Sequence, residues 1–171
     1  MKIIYSIIFT LVGLAILGLI FIFSGLYNVS AISQDTGITK WVLNTTKDNS
    51  VDARIKDINV PDLEDSSLIK MGFAHYKEMC QVCHGAPGAD ETELAKGLNP
   101  PAPNLVKYGD KIPPKEIFWV TKNGIRMTGM PAWGKTHSDK KIWAMVAAIR
   151  KLPFTSLKMY NSYSESPDDD N

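Results

Sequence analysis

"HYKEMCQVCHGAPG", residues 75–88, holds the only two cysteines of this 171-residue chain, Cys80 and Cys83, followed at once by His84 and Gly85. A Cys-x-x-Cys pair serves three chemistries: a redox dithiol, half of a structural zinc site, or covalent attachment of haem. The surrounding sequence decides between them, and with them the kind of domain.

Upstream, "DSSLIKMGFAHYKEMC" (65–80) opens on Asp65 and Ser66, residues suited to a helix N-cap. Ile69, Gly72, Phe73 and Tyr76 then recur at helical spacing, so the segment predicts a helix that ends by delivering Cys80. Downstream, "GAPGADETELAKGLNPPAPN" (85–104) is broken repeatedly by glycine and proline and reads as loop. A second helix is expected over "PPKEIFWVTKNG" (113–124), with Pro113 and Pro114 at its start and Gly124 past its end. "RMTGMPAWGKTH" (126–137) is loop again, because Pro131 forbids a helix through it. "SDKKIWAMVAAIRKL" (138–152) predicts a third helix, capped by Ser138, stopped by Pro153, and apolar along Ile142, Trp143, Val146, Ala147 and Ile149. No stretch alternates at period two for long enough to make a strand. The expected class is all-α.

A structural zinc site needs four ligands, usually as two close pairs. Beyond His84 only His75 and His137 remain as nitrogen donors, and neither has a partner at pair spacing. A redox dithiol belongs on a strand-to-helix turn of a βαβ unit, and here the motif closes a helix. Haem attachment fits. Cys80 and Cys83 would form thioethers with one haem c, and His84 would take the iron as proximal ligand. Such a group would also supply the core that about ninety residues rich in proline otherwise lack.

The N-terminus agrees with an exported protein. Ile3 to Phe23 carry no charge, and as a helix this stretch spans about 30 Å, the thickness of a bilayer's hydrocarbon core. A cleaved signal peptide ending at "VSA" (29–31) is the competing reading, but the apolar region of such peptides runs only about 7–15 residues. With Lys2 on the inner side, the haem domain would face the periplasmic side of the cytoplasmic membrane. The expected organisation is a transmembrane anchor over 1–27, a polar spacer over 28–64, a haem domain over 65–154, and an acidic flexible tail over 155–171.

For the sixth iron position, Met127 and Met130 lie together in the loop that could cross the other face of the haem. Gly129 and Pro131 hold a stiff, non-helical backbone around Met130, which makes it the first choice, with Met127 as fallback and His137 third. The balance of 19 basic against 18 acidic residues excludes a nucleic-acid binder, which would be strongly basic. Yet residues 104–151 hold ten basic and three acidic residues, a local surplus of seven, and predict a basic face for docking a redox protein.

Taken together, "CQVCHGAPG", "PPAPNL", "NGIRMTGMPAWG" and "DKKIWAMVAAIRKL" resemble a class I c-type cytochrome. The resemblance is to membrane-anchored mono-haem forms near bacterial respiratory complexes and to cytochrome subunits of oxidases. It covers about residues 65–154. It implies that Cys80 and Cys83 hold haem, that His84 and Met130 ligate iron, and that Pro103 offers its carbonyl to the second nitrogen of His84. It also implies a contact between the first and last helices through Gly72 and Trp143. The expected function is single-electron transfer between respiratory-chain components, with an oxidase, reductase or dehydrogenase as partner and no bond-making catalysis. The alternatives are a permanent cytochrome subunit of an oxidase or dehydrogenase complex and, third, a haem-based ligand sensor. The doubled Met-x-x-Met departs from the family's pattern.

Overall fold

The computed structural model describes residues 1–33 and 35–164. Between residues 34 and 35 the chain divides into two compact units.

The first unit holds α1, Lys2–Phe23, whose mean hydropathy is 2.8 and whose side chains are unburied. Its 22 residues span about 33 Å at the rise of an α-helix. It is the one helix among the described residues long and apolar enough to cross a membrane. After Gly25, at φ +69°, the side chain of Asn28 accepts from Ser30 N (2.9 Å) and donates to Ser33 Oγ (2.6 Å), closing a turn.

The second unit begins with α2, Gly37–Arg54, capped by the Thr36 hydroxyl. Here the structure departs from the expected spacer over 28–64. Val51 is buried, Ile58 and Leu63 pack on the core, and Lys115 Nζ donates to the Lys56 carbonyl at 3.2 Å. The sequence offers two short amphipathic stretches here, "ITKWVLN" and "VDARIKDI", and the structure joins all of the first and the first half of the second in the one helix α2.

α3, Ser66–His75, starts where the Asp65 carboxylate accepts from Ser67 N (2.8 Å) and Leu68 N (3.2 Å). The same rod continues as a π-helical turn, Tyr76–Cys80, and as α4, Gln81–His84, until Gly85 ends it at φ +85°. Two short helices interrupt the following loop: α5, Glu93–Lys96, capped by Thr92, and α6, Leu105–Tyr108, capped by Asn104. α7, Pro114–Asn123, and α8, Asp139–Lys151, fall where proline and serine caps predicted them. A 3-10 turn lies at Trp133–Lys135 and another at Leu152–Phe154. No strand occurs among the described residues, so the domain is all-helical.

The core forms where α3 crosses α8. Phe73, Tyr76, Ile142, Met145, Val146 and Leu152 are fully buried, each side chain contributing roughly 1.5–3 kcal/mol through burial. The crossing is made by Gly72 against Ala144 and Ala148. Trp143, expected at that contact, instead stacks on Phe118 of α7 at 4.1 Å and 13°. One position along α8 turns a side chain by about 100°, enough to exchange the two neighbours.

Residues 155–164 also depart from the expected flexible tail. α9, Leu157–Ser164, packs on α3: Tyr160 is 2 % exposed, and the Tyr163 ring stacks on Phe73 at 4.9 Å. The rest of that expected tail, 165–171, lies outside the described residues.

Candidate cofactor site

The attachment motif sits on the unusual part of the α3–α4 rod. In the π-helical turn, Gln81 N donates to the Tyr76 carbonyl five residues back, one residue more than an α-helix allows. Such single wide turns are frequent at functional sites, because the extra residue rotates everything after it relative to the helix before it. Two tyrosines brace it. Tyr76 Oη donates to the Gly85 carbonyl at 2.7 Å, spanning the motif, and Tyr160 Oη of α9 donates to Gln81 Oε1 at 3.0 Å.

Cys80 is buried and Cys83 partly so. Burial, with a smaller contribution from the neighbouring Cys83, pushes the Cys80 thiol up to about 12.

His84 Nδ1 lies 2.9 Å from the Pro103 carbonyl oxygen. A carbonyl can only accept, so Nδ1 carries the proton and Nε2 of the neutral ring keeps its lone pair. That is the tautomer an iron ligand requires, and the hydrogen bond fixes the ring plane as well. Burial holds the His84 pKa below the usual value for histidine, with the Pro103 bond opposing it. The position of Pro103 follows from its neighbour: Asn104 accepts from Lys107 N at 3.1 Å, capping α6 and anchoring the loop just after the carbonyl.

Around this point opens a cavity of about 410 Å³, lined among others by Cys83, His84, Gly85, Ala86, Ala102 and Val106. The Cys83 thiol, a histidine of fixed tautomer and a mostly small-residue wall, with the Cys80 thiol buried one turn before them, fit a covalently attached haem. They do not fit zinc, since among the described residues no group of three or more His, Cys, Asp or Glu could hold a metal ion.

The methionine loop is built separately, at the end of α7. Gly124, at φ +67°, leaves room for the returning chain: a Cβ there would lie 2.8 Å from the backbone of Met130, Pro131 and Ala132. Ile125 N donates to the Met130 carbonyl (3.2 Å), and Met130 N donates to Thr128 Oγ1 (3.1 Å). Gly129 abuts Leu98, from the loop that also carries Pro103. Met130 is half-buried, whereas Met127 is 92 % exposed at φ +60°. His137 packs edge-on against His75 (5.4 Å) and Trp133 (5.5 Å), with its Nδ1 beside Thr136 Oγ1 at 2.9 Å. The structure thus brings Cys83, His84 and Pro103 together, with Cys80 one turn before them. Met130 is not among the residues lining the cavity.

Sequence reasoning missed the bracing residues Tyr76, Gln81, Tyr160 and Asn104 in these roles. Asn104 alone had a signal, as a polar residue directly before the apolar pair Leu105-Val106.

Residues 67–147 match the family model described as cytochrome C oxidase, cbb3-type, subunit III. No curated protein matches the chain.

Proposed function

Starting from residues 67–147 as a cytochrome c domain of that family, carrying covalent haem c, we propose that this chain transfers single electrons on the periplasmic side of the cytoplasmic membrane. In this reading Cys80 and Cys83 form the thioethers, His84 and Met130 are the axial ligands, and α1 is a retained anchor. The observation that carries it is the 2.9 Å pair between His84 Nδ1 and the Pro103 carbonyl, which prepares Nε2 for iron. Bound haem supplies a one-electron iron couple, and a thioether opposite a histidine raises its potential. The protein's own part is to hold the imidazole basic and oriented and to keep Met130 on a loop pinned by Gly124 and Thr128.

The test is spectroscopy and redox titration of the purified membrane protein. Expected are a covalent haem that survives denaturing electrophoresis, a low-spin spectrum, and reversible one-electron behaviour. A high-spin haem that binds added carbon monoxide without displacing a ligand would point to a ligand binder instead.

The family description favours a second reading, a permanent subunit of an oxidase complex. Purification in mild detergent separates the two. A stoichiometric partner retained through it supports the subunit, and a monodisperse single chain supports the carrier.

A further inference from the structure

α2 carries an apolar face that nothing among the described residues of its own unit covers. Ile38, Trp41 and Val42 are 77 %, 67 % and 45 % exposed. At helical spacing they fall with Thr45 within about 100° of arc. Val51, the buried residue of α2, projects about 130° away from the middle of that arc. The helix therefore packs on the domain with one side of its later turns and leaves an aromatic and aliphatic patch outward on its first turns.

We propose that this patch docks into the interfacial layer of the bilayer, so that the first turns of α2 lie against lipid headgroups and upper acyl chains. Three observations favour lipid over protein as the occupant. Thirteen residues, Ser24 to Thr36, separate the end of α1 from the start of α2. Fully extended they reach at most about 45 Å, and the Asn28–Ser33 turn shortens that reach. Residues 37–46 contain one charge, Lys40, and no acid until Asp48, which suits an anionic headgroup layer. Trp41 is the side chain that prefers this boundary, with its ring in the acyl region and its indole N–H among the headgroups. The inference rests on α1 remaining in the membrane.

The test is depth measurement on the full-length, haem-loaded protein in phosphatidylcholine–phosphatidylglycerol vesicles. With Cys80 and Cys83 held as thioethers, a cysteine introduced by Ile38→Cys, Val42→Cys, Asp48→Cys or Leu14→Cys is the sole thiol for a nitroxide label. Collision with oxygen, relative to a water-soluble nickel complex, should be severalfold higher at positions 38 and 42 than at 48. That ratio would place both labels about 5–10 Å inside the boundary. A deeply immersed label at 14 with a water-like label at 38 overturns the docking while leaving the anchor intact. Water-like labels at both positions overturn the anchor, and the docking with it. Spin–spin broadening at 38 that disappears on dilution with unlabelled protein would mean a second copy of the chain covers the patch, and would also overturn the proposal.

Discussion

Gly72 stands so close to Ala144 that a Cβ on it would lie 1.9 Å from the Ala144 carbonyl oxygen and 2.9 Å from Ala148 Cβ. Both obstacles belong to the middle of α8, and neither can rotate away. Gly72→Ala must therefore push α3 and α8 apart at the centre of the core, at a cost of about 3 kcal/mol or more. Gly97→Ala is the control, because there the nearest atoms are 3.5 Å away. Thermal unfolding followed by circular dichroism should show a markedly lowered Tm for the first and a near-native one for the second.

What could be read from the sequence follows from which devices are local. Asp65, Pro113, Pro114, Ser138, Gly124 and Pro153 act within one turn of themselves, and α3, α7 and α8 begin and end on them. The Cys-x-x-Cys-His spacing is equally local. The π-helical turn is not: no residue type in Tyr76–Cys80 demands it, and it is held by Gly85 and, through Gln81, by Tyr160, 79 positions away. The docking of α9 was hidden in the same way. Leu157, Tyr160 and Tyr163 sit at helical spacing but were masked by the serines and acids that follow them.

Met130 and Met127 should behave differently when replaced. Met130→Ala should abolish the thioether–iron charge-transfer band and lower the reduction potential, if Met130 is the sixth ligand. Met127, exposed and left-handed, is better served by glycine. Met127→Gly should leave the band intact and stabilise the protein by up to about 1 kcal/mol through relief of backbone strain. Loss of the band in Met127→Gly and its survival in Met130→Ala would reverse the assignment.

Tyr160 links α9 to the attachment turn, and its ionisation sets a pH dependence. Burial raises the Tyr160 pKa well above the ordinary value. A phenol whose folded pKa is raised keeps its full contribution below the unfolded pKa near 10 and loses it as pH climbs beyond that value. Tyr160→Phe removes the hydrogen bond to Gln81 and should cost about 1 kcal/mol at neutral pH. The deficit should shrink as pH passes 10, because only the wild type then loses stability through this group. Denaturant midpoints of the two proteins from pH 7 to 11 check this. Curves that stay parallel would remove Tyr160 from the alkaline transition.

The basic surplus of residues 104–151 is thinner in the fold than in the sequence. Lys122 is paired with Asp139 at 2.6 Å and Lys151 with Glu64 at 2.5 Å. The Arg150 guanidinium is spent on the carbonyls of Asp110 and Ile112, and Lys115 on that of Lys56. Lys107 differs, since it is exposed and lines the cavity beside His84, as does the exposed Glu91. If positive potential on this side steers redox partners, small charged oxidants will reveal it without the partner in hand. An anionic hexacyanide of iron should oxidise the reduced protein faster than a cationic phenanthroline complex of cobalt, after correction for driving force. Its rate should fall as salt rises from about 10 to 150 mM, as the screening length shortens from about 30 to 8 Å. Lys107→Glu should slow the anionic oxidant by up to about 10-fold and flatten its salt dependence, while Lys151→Gln, which removes a charge already paired, should do little. Stopped-flow rates that ignore both salt and Lys107 would mean that the surplus is only a solvated surface, and that any partner is held through apolar contact.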